Sequence, residues 1–230
     1  MDNLYVIIPQ GGLCNKLRVL LYHYDISKKL NKKFIVVWNK DRYCNGLFLD
    51  YYQQLENTIF IKKNENNYDI KYKGCSADIK LCNYNLLKLK PTIQEKINII
   101  RNKYDKYISV HIRRTDHVIL AKKKNLYIDD DYFINFLNQN SDYDIYLATD
   151  NRETQDKFYK LYKNKIKYIN FINTENEINK RPKKDNSDKT RHTSLLDSII
   201  DLYMCVNSEK FMGTKYSSFS ETINKMRELN

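Results

Sequence analysis

The sequence predicts an α/β protein built on parallel strands. Short apolar runs recur without polar alternation, as in strands buried on both faces. Stretches of helical spacing separate them. Polar clusters stand where the runs end, and in open parallel sheets ligands bind at the carboxyl ends of strands.

Taken in order, residues 4–8 (LYVII) form the first strand, ending at Pro9. Gly11 and Gly12 allow a tight turn into a helix whose Leu13, Leu17, Leu20, Leu21 and Tyr24 share a face as far as Leu30. His23 lies inside that helix and reads as packing. FIVVW (34–38) is the second strand and completes a βαβ unit. Residues 41–90 carry weaker signals: a short helix within 47–55 and strands at 57–61 and 68–74. Pro91 opens a helix over 91–104 with Ile93, Ile97 and Ile100 on one stripe.

A second α/β rhythm starts at residue 107. YISVHI is a strand, followed by a polar segment and a helix at 130–140. Then come a strand at 144–150, a helix from Arg152, and a strand IKYINFI at 166–172. Residues 173–192 are nearly devoid of apolar side chains and read as a long polar loop. The helix SLLDSIIDLYMCVN, the strand KFMGT and the helix SFSETINKMREL close the chain. The halves, 1–104 and 105–230, form either two Rossmann-like domains or one continuous doubly wound sheet.

Composition narrows the partners. At 230 residues and 42% hydrophobic, the chain can bury one large core or two of about 100 residues each. Forty Lys+Arg against 28 Asp+Glu give +12, which favours anionic partners: nucleic acid, an acidic membrane or phosphorylated small molecules. The charge is dispersed, so most lysines read as a solvated surface. Five cysteines, an odd number without a CxxC pair, suit a reducing compartment. The N-terminus has no basic region ahead of its short apolar run, so neither a signal sequence nor a membrane span is expected, and the expected localisation is cytoplasmic.

Four polar clusters converge on strand ends: GGLCN, RRTDH, TD and GTKYSS. In the second, His111, Arg113, Arg114, Asp116 and His117 crowd the end of a buried strand. Arginine binds phosphate in a bidentate manner and keeps its charge, so this end suits a diphosphate; the plainer reading is an Arg114–Asp116 ion pair. GGLCNKLR leaves backbone N–H groups open to an anion, with Asn15 and Arg18 in reach, or is simply a tight turn. In GTKYSSFSE, which begins Gly213 and Thr214, Ser217 or Ser218 can cap the final helix, with Glu221 completing a capping box; hydroxyls at a helix start are also a phosphate seat. Asp197 and Asp201 share a helix face, and a carboxylate there can accept two N–H bonds from guanine. Asp150 orients a ligand hydroxyl or caps the next helix.

VHIRRTDHV closely resembles the His-x-Arg-Arg-x-Asp segment of α-1,6-fucosyltransferases, shared in looser form by nodulation fucosyltransferases and protein O-fucosyltransferases. YLATD and the segment 194–221 resemble the next two blocks, and GGLCNKLR the glycine-rich opening. The resemblance implies a compact, two-lobed Rossmann-like glycosyltransferase fold of the GT-B type, with an acceptor-side lobe at 1–104 and a nucleotide-sugar lobe at 105–230. It further implies an inverting transferase with GDP-fucose as donor, a glycan acceptor, no cofactor and no metal. By position, Arg113 meets the β-phosphate, and His111 and Asp201 meet the guanosine. Ser217 and Ser218 meet the diphosphate, with Arg114, Asp150 and Thr214 around the donor and Gly12 and Asn15 facing it from the first lobe. The sequence departs from the pattern at two points. His117 stands where the family has lysine, and Ala121 where it has a glutamate. Asp116 and His117 are then the candidates for general base.

Two other readings compete. A nucleic-acid-binding protein would account for the +12 charge and 20 tyrosines but not for cations gathered at strand ends. A non-catalytic nucleotide-sugar binder would account for the missing glutamate.

Overall fold

The computed structural model of the chain describes residues 3–41, 43–114, 117–170, 172 and 193–229. The chain divides into two compact units. The first runs to Gln94 and includes the terminal residues from Glu228; the second is Glu95–Arg227. The expected division at residue 104 falls after the helix that joins the halves, the observed one within it.

In the first unit, β1 (Leu4–Pro9), β2 (Lys33–Val37), β3 (Thr58–Ile61) and β4 (Ile70–Gly74) form a parallel sheet in the order β3-β2-β1-β4. Parallel pairing of Leu4 with Lys33 requires a crossover, and α1 (Leu13–Lys29) supplies it. Its Leu13, Leu17, Leu20, Leu21 and Tyr24 are buried, as the spacing predicts. Gly11 takes a left-handed backbone at φ +85°, which makes glycine the residue for the turn into α1. The predicted helix within 47–55 is a single turn, α2 (Phe48–Tyr51). It is held by aromatic contacts, with Phe48 stacked on Phe60 at 4.5 Å and on Tyr52 at 5.0 Å. The helix α3 (Pro91–Arg101) opens on proline, whose missing N–H would have no helical partner at that position.

In the second unit, β5 (Tyr107–Ile112) is followed by α4 (His117–Lys123), α5 (Asp130–Asn138), β6 (Asp144–Thr149) and α6 (Arg152–Tyr162). After the undescribed stretch come α7 (Leu195–Val206), β7 (Phe211–Gly213) and α8 (Ser218–Leu229). The three strands form a second parallel sheet, β6-β5-β7. All six residues of the central strand β5 are buried. Ile108, Val110 and Ile112 pack with Phe133, Leu137, Leu147 and Phe158 in one apolar cluster.

Three expectations change. The alternative of one continuous sheet is excluded, since each half closes its own. The polar segment after β5 contains a helix, α4, which the sequence reading missed. IKYINFI is not a strand over its described residues. Its alternation is real, because Ile166 and Asn170 are buried while Lys167 and Ile169 are exposed. Side chains, however, take its backbone: Gln155 Nε2 donates to the Asn170 carbonyl at 2.7 Å. The predicted loop at 173–192 lies outside the described residues. All five cysteines are free thiols, and among the described residues no helix is long and apolar enough to cross a membrane.

Candidate functional site

The backbone leaving β5 is handed from strand neighbours to side chains. Within the sheet, odd residues of β5 bond to β7 and even ones face β6: Ser109 N–H donates to the Lys210 carbonyl, and Thr149 Oγ1 of β6 donates to the Ile112 carbonyl at 2.7 Å. Beyond Ile112 the same alternation continues. Arg113 N–H donates to Thr214 Oγ1, 3.0 Å, just after β7, and Arg114 N–H donates to Asp150 Oδ1, 2.9 Å, just after β6. Thr214 also anchors its own backbone and hydroxyl to the His111 carbonyl, at 2.9 and 3.0 Å. Thr214 and Asp150 are both buried, so these bonds are shielded from water. Both flanking strands thus fix the direction in which the two arginines leave the sheet.

The arginines then diverge. Arg114 Nη2 donates to Asp130 Oδ1 of α5 at 2.7 Å, and its guanidinium lies over the Tyr127 and Phe133 rings at 5.2 and 5.7 Å. The expected partner Asp116 lies outside the described residues; Asp130 also accepts from Lys157 Nζ at 2.7 Å. Burial would raise the Asp130 carboxyl, but these two cations outweigh it and hold its pKa below the usual value. Arg114, expected at the donor, is in the structure a brace between β5 and α5. Arg113 stands half-buried at the strand end.

His111 is buried and its Nδ1 lies 2.8 Å from Ser220 Oγ on α8, with its ring 4.6 Å from that of Phe219. Gly213 makes this approach possible. A Cβ built there would stand 2.5 Å from Ser220 Oγ and 2.6 Å from Ser220 Cβ, so any larger residue would push α8 away from the strand end. The sequence reading saw neither Ser220 nor the need for Gly213; a glycine closing a short strand before a helix was the available signal.

Helix α8 begins at Ser218, and Glu221 N–H donates to the Ser217 carbonyl at 2.9 Å, so Ser217 is the capping residue. Ser218, expected as the alternative cap, is already the first helical residue. Ser217 is 1% exposed and, among the described residues, its Oγ has no hydrogen-bond partner. A buried hydroxyl without a partner is destabilising by roughly 1–3 kcal/mol. The preceding Tyr216 takes a left-handed φ of 57°, an uncommon conformation for an aromatic residue. A cavity of about 480 Å³ opens here, lined by Thr214, Lys215, Ser220 and Glu221 among others, within the size range of small-ligand sites.

Asp201 lies deeper. It is 6% exposed, and its Oδ1 accepts from Tyr146 Oη at 2.8 Å and Asn170 Nδ2 at 2.5 Å. Burial pushes its carboxyl well above the ordinary range, against the lowering effect of these bonds, with Asp197 and Asp150 raising it further. Asp201 ties α7 to β6 and to residue 170. Asp197 closes the N-terminus of α7 with Ser194, each bonding to the other. The cap of α6 is Asn151, whose side chain accepts from Thr154 N–H at 2.8 Å, and not Asp150.

Of the other expected residues, Asp116 lies outside the described ones and His117 is the first residue of α4. Gly12 caps α1 with an extended backbone, and Asn15 sits in the first turn of α1. Both belong to the first unit, whereas His111, Arg113, Asp150, Asp201, Thr214, Ser217 and Ser218 belong to the second. Among the described residues, no group of three His, Cys, Asp or Glu side chains is placed to hold a metal ion.

No curated protein matches the chain by sequence. Solved structures do match in fold. The NodZ α-1,6-fucosyltransferase co-crystallised with GDP superposes with a TM-score of 0.64 at 11% identity, over 97% of this chain and 92% of that one. The fucosyltransferase NodZ from Bradyrhizobium gives 0.63 at 11% identity, over 97% and 92%. POFUT1 in complex with GDP gives 0.62 at 10% identity, over 99% and 95%. The fold is thus α/β with parallel sheets, of the GT-B fucosyltransferase class. Residues 10–230 match the sequence family described as GDP-fucose protein O-fucosyltransferase. That match spans nearly the whole sequence, and the chain belongs to the GDP-fucose protein O-fucosyltransferase family.

Proposed function

We propose that the protein transfers fucose from GDP-fucose to a hydroxyl of a glycan, with inversion at the anomeric carbon and without a metal. The observation that carries this reading is the edge formed by Arg113, Thr214 and Ser217. Arg113 is tied through its backbone to Thr214 at the strand end, and Ser217, whose buried hydroxyl has no partner among the described residues, stands at the start of a 12-residue helix, a chemistry suited to a diphosphate. The solved relatives in complex with GDP and soaked with GDP-fucose support the donor.

In the reaction, the acceptor oxygen bonds to C1 of fucose as the bond from C1 to the β-phosphate oxygen breaks. Negative charge grows on the departing GDP, and Arg113 stabilises it, helped by Ser217 and the N–H groups opening α8. Asp116 or His117 takes the acceptor proton. Arg114 and Asp201 act indirectly: one holds β5 to α5, the other holds the floor beneath the nucleoside. His111 is positioned by Ser220.

The test is GDP release from GDP-fucose, GDP-mannose, UDP-sugars and dTDP-sugars, each with and without chelator. GDP-fucose should be preferred and chelator without effect. Arg113→Ala should lower kcat by about 10²–10³-fold, the scale of one lost charge-stabilising contact. No GDP release from any donor, together with no protection against melting by GDP, overturns the proposal. A second reading, a nucleotide-sugar binder without turnover, is favoured by Ala121, which is 4% exposed on α4 and leaves no carboxylate there. GDP binding with no release of GDP from any donor would select it.

A further inference from the structure

The first unit has its own cavity, of about 710 Å³, at the carboxyl ends of its strands. Lys40 follows β2, Lys62 and Lys63 follow β3, and Lys73 lies near the end of β4; all four line the cavity, with Asp41 the acidic residue among the lining. Asp41 is already committed, because its Oδ2 pairs at 2.8 Å with Lys16, whose side chain is fully buried. Lys40 is 3.7 Å from Asp50, both half-exposed, so that pair is weak. Among the described residues no carboxylate comes within ion-pair distance of Lys62, Lys63 or Lys73. The cavity therefore carries an uncompensated positive field.

It is also equipped for more than charge. Asn39, in the same lining, has its amide oxygen buried and, among the described residues, without a hydrogen-bond partner. An orphaned carbonyl oxygen repels an anion but accepts a hydroxyl proton. Ammonium groups around a carbonyl acceptor match a molecule bearing both an acidic group and free hydroxyls. The volume fits a small ligand or the end of an oligosaccharide, not a polymer laid across a surface.

We propose that this cavity binds the acceptor, and that the acceptor is an acidic saccharide whose charge comes from a carboxylate or a phosphate ester. The assignment rests on the glycosyl-transfer reading for the role of the ligand, but the binding it predicts does not.

The experiment uses the full chain and isothermal titration at low salt. The probes are trigalacturonate, glucose 6-phosphate, neutral maltotriose, inorganic phosphate and GDP. They are titrated against the wild type and against Lys62→Ala/Lys63→Ala/Lys73→Ala, whose altered side chains are exposed. At least one acidic saccharide should bind tenfold or more tightly than maltotriose, and tenfold or more tightly to the wild type than to the triple variant. GDP affinity should stay within twofold. Preference for trigalacturonate assigns the charge to a carboxylate, preference for glucose 6-phosphate to a phosphate ester. Equal binding of maltotriose, equal binding by the triple variant, inorganic phosphate binding as tightly as the saccharides, or no acidic-saccharide binding each overturns the proposal. Failure to bind GDP, with acidic-saccharide binding intact, removes the donor reading and with it the acceptor role, and leaves the cavity as an acidic-saccharide site.

Discussion

In the second unit the polar side chains at the strand ends bond to the backbone and to one another, whereas in the first unit the strand ends carry exposed lysines around a cavity. Thr214, Asp150, Ser220 and Asp201 each have a protein partner at 3.0 Å or less. Lys62, Lys63 and Lys73 are exposed. The difference is one of preorganisation. A lattice that is already bonded keeps its dipoles fixed when charge moves, as a reacting centre requires. Solvated ammoniums on flexible stems adapt to a ligand and are screened by salt. Each sheet is parallel within its own unit, and the polar chemistry at its strand ends is rigid in the second unit and adaptable in the first.

The largest expected effect comes from breaking the lattice at Asp201. Asp201→Ala leaves Tyr146 Oη buried without its acceptor and Asn170 Nδ2 with only its longer bond to the Asp197 carbonyl, 3.3 Å. The expected loss is about 4 kcal/mol, the scale of removing one member of a buried polar network. Asp201→Asn keeps the shape and one acceptor oxygen and should lose less than half as much. Urea unfolding of both variants measures this. A loss below about 1 kcal/mol for the alanine variant would mean that α7 is held by its apolar stripe alone.

That lattice was only partly legible in the sequence. Strands and helices with long apolar runs stood where their periodicity put them, because burial on both faces leaves an unambiguous pattern in β1, β2 and β5. The positions of Arg113 and Thr214 at strand ends and of Ser217 before the last helix were legible, because charge and hydroxyls end the apolar runs there. Partners across the fold were not. Arg114 meets Asp130, 16 positions away, and His111 meets Ser220, 109 positions away. Gly213 matters through an atom it lacks. Helix α4 was hidden because seven residues give too short a window for a period. The lysine cavity was invisible for another reason: Lys40, Lys62, Lys63 and Lys73 are scattered along the chain and read as solvated surface until the parallel sheet aligns its strand ends.

A smaller effect is expected from the buried ion pair of the first unit. Lys16 Nζ donates to the Asn39 carbonyl at 2.6 Å, pairs with Asp41, and lies 5.5 Å from the centre of the Trp38 ring. Lys16→Met keeps the packing of the stem and removes the charge. The Asp41 side chain is 33% exposed and can recover water, so the loss should be about 2 kcal/mol, below that of a fully buried pair. Thermal melting in parallel with Asp201→Ala ranks the two. If Lys16→Met costs as much as Asp201→Ala, the first unit too depends on a locked polar edge and the contrast fails. The freed Asp41 carboxylate should also weaken acidic-saccharide binding, though less than loss of the three lysines.

The smallest effect separates the units by pH. His23 is buried in the first unit, hydrogen-bonded to Tyr5 Oη at 2.8 Å and packed 4.3 Å from the Tyr72 ring, and burial lowers its pKa to about 4. Its folded pKa lies below the unfolded value of about 6.5, so between those values the unfolded chain binds more protons. Stability then rises with pH across that window, and acidification through it costs up to about 1.4 kcal/mol per pH unit. Asp130 in the second unit behaves oppositely in range. Its folded pKa is lowered, so its contribution is present above the unfolded value of about 3.9 and is lost only as pH falls through the folded one. Acidification from pH 7 to 5 should therefore loosen the first unit while the Asp130 pair holds. The chain has one tryptophan, Trp38, buried in the first unit, so its fluorescence reports that unit while circular dichroism reports both. On moving to pH 5, the fluorescence midpoint in urea should fall more than the dichroism midpoint. His23→Gln, which offers Tyr5 an acceptor but does not titrate, should flatten the fluorescence dependence. Equal pH slopes in wild type and variant would remove His23 as the cause, and coincident midpoints at both pH values would mean that the two units unfold as one.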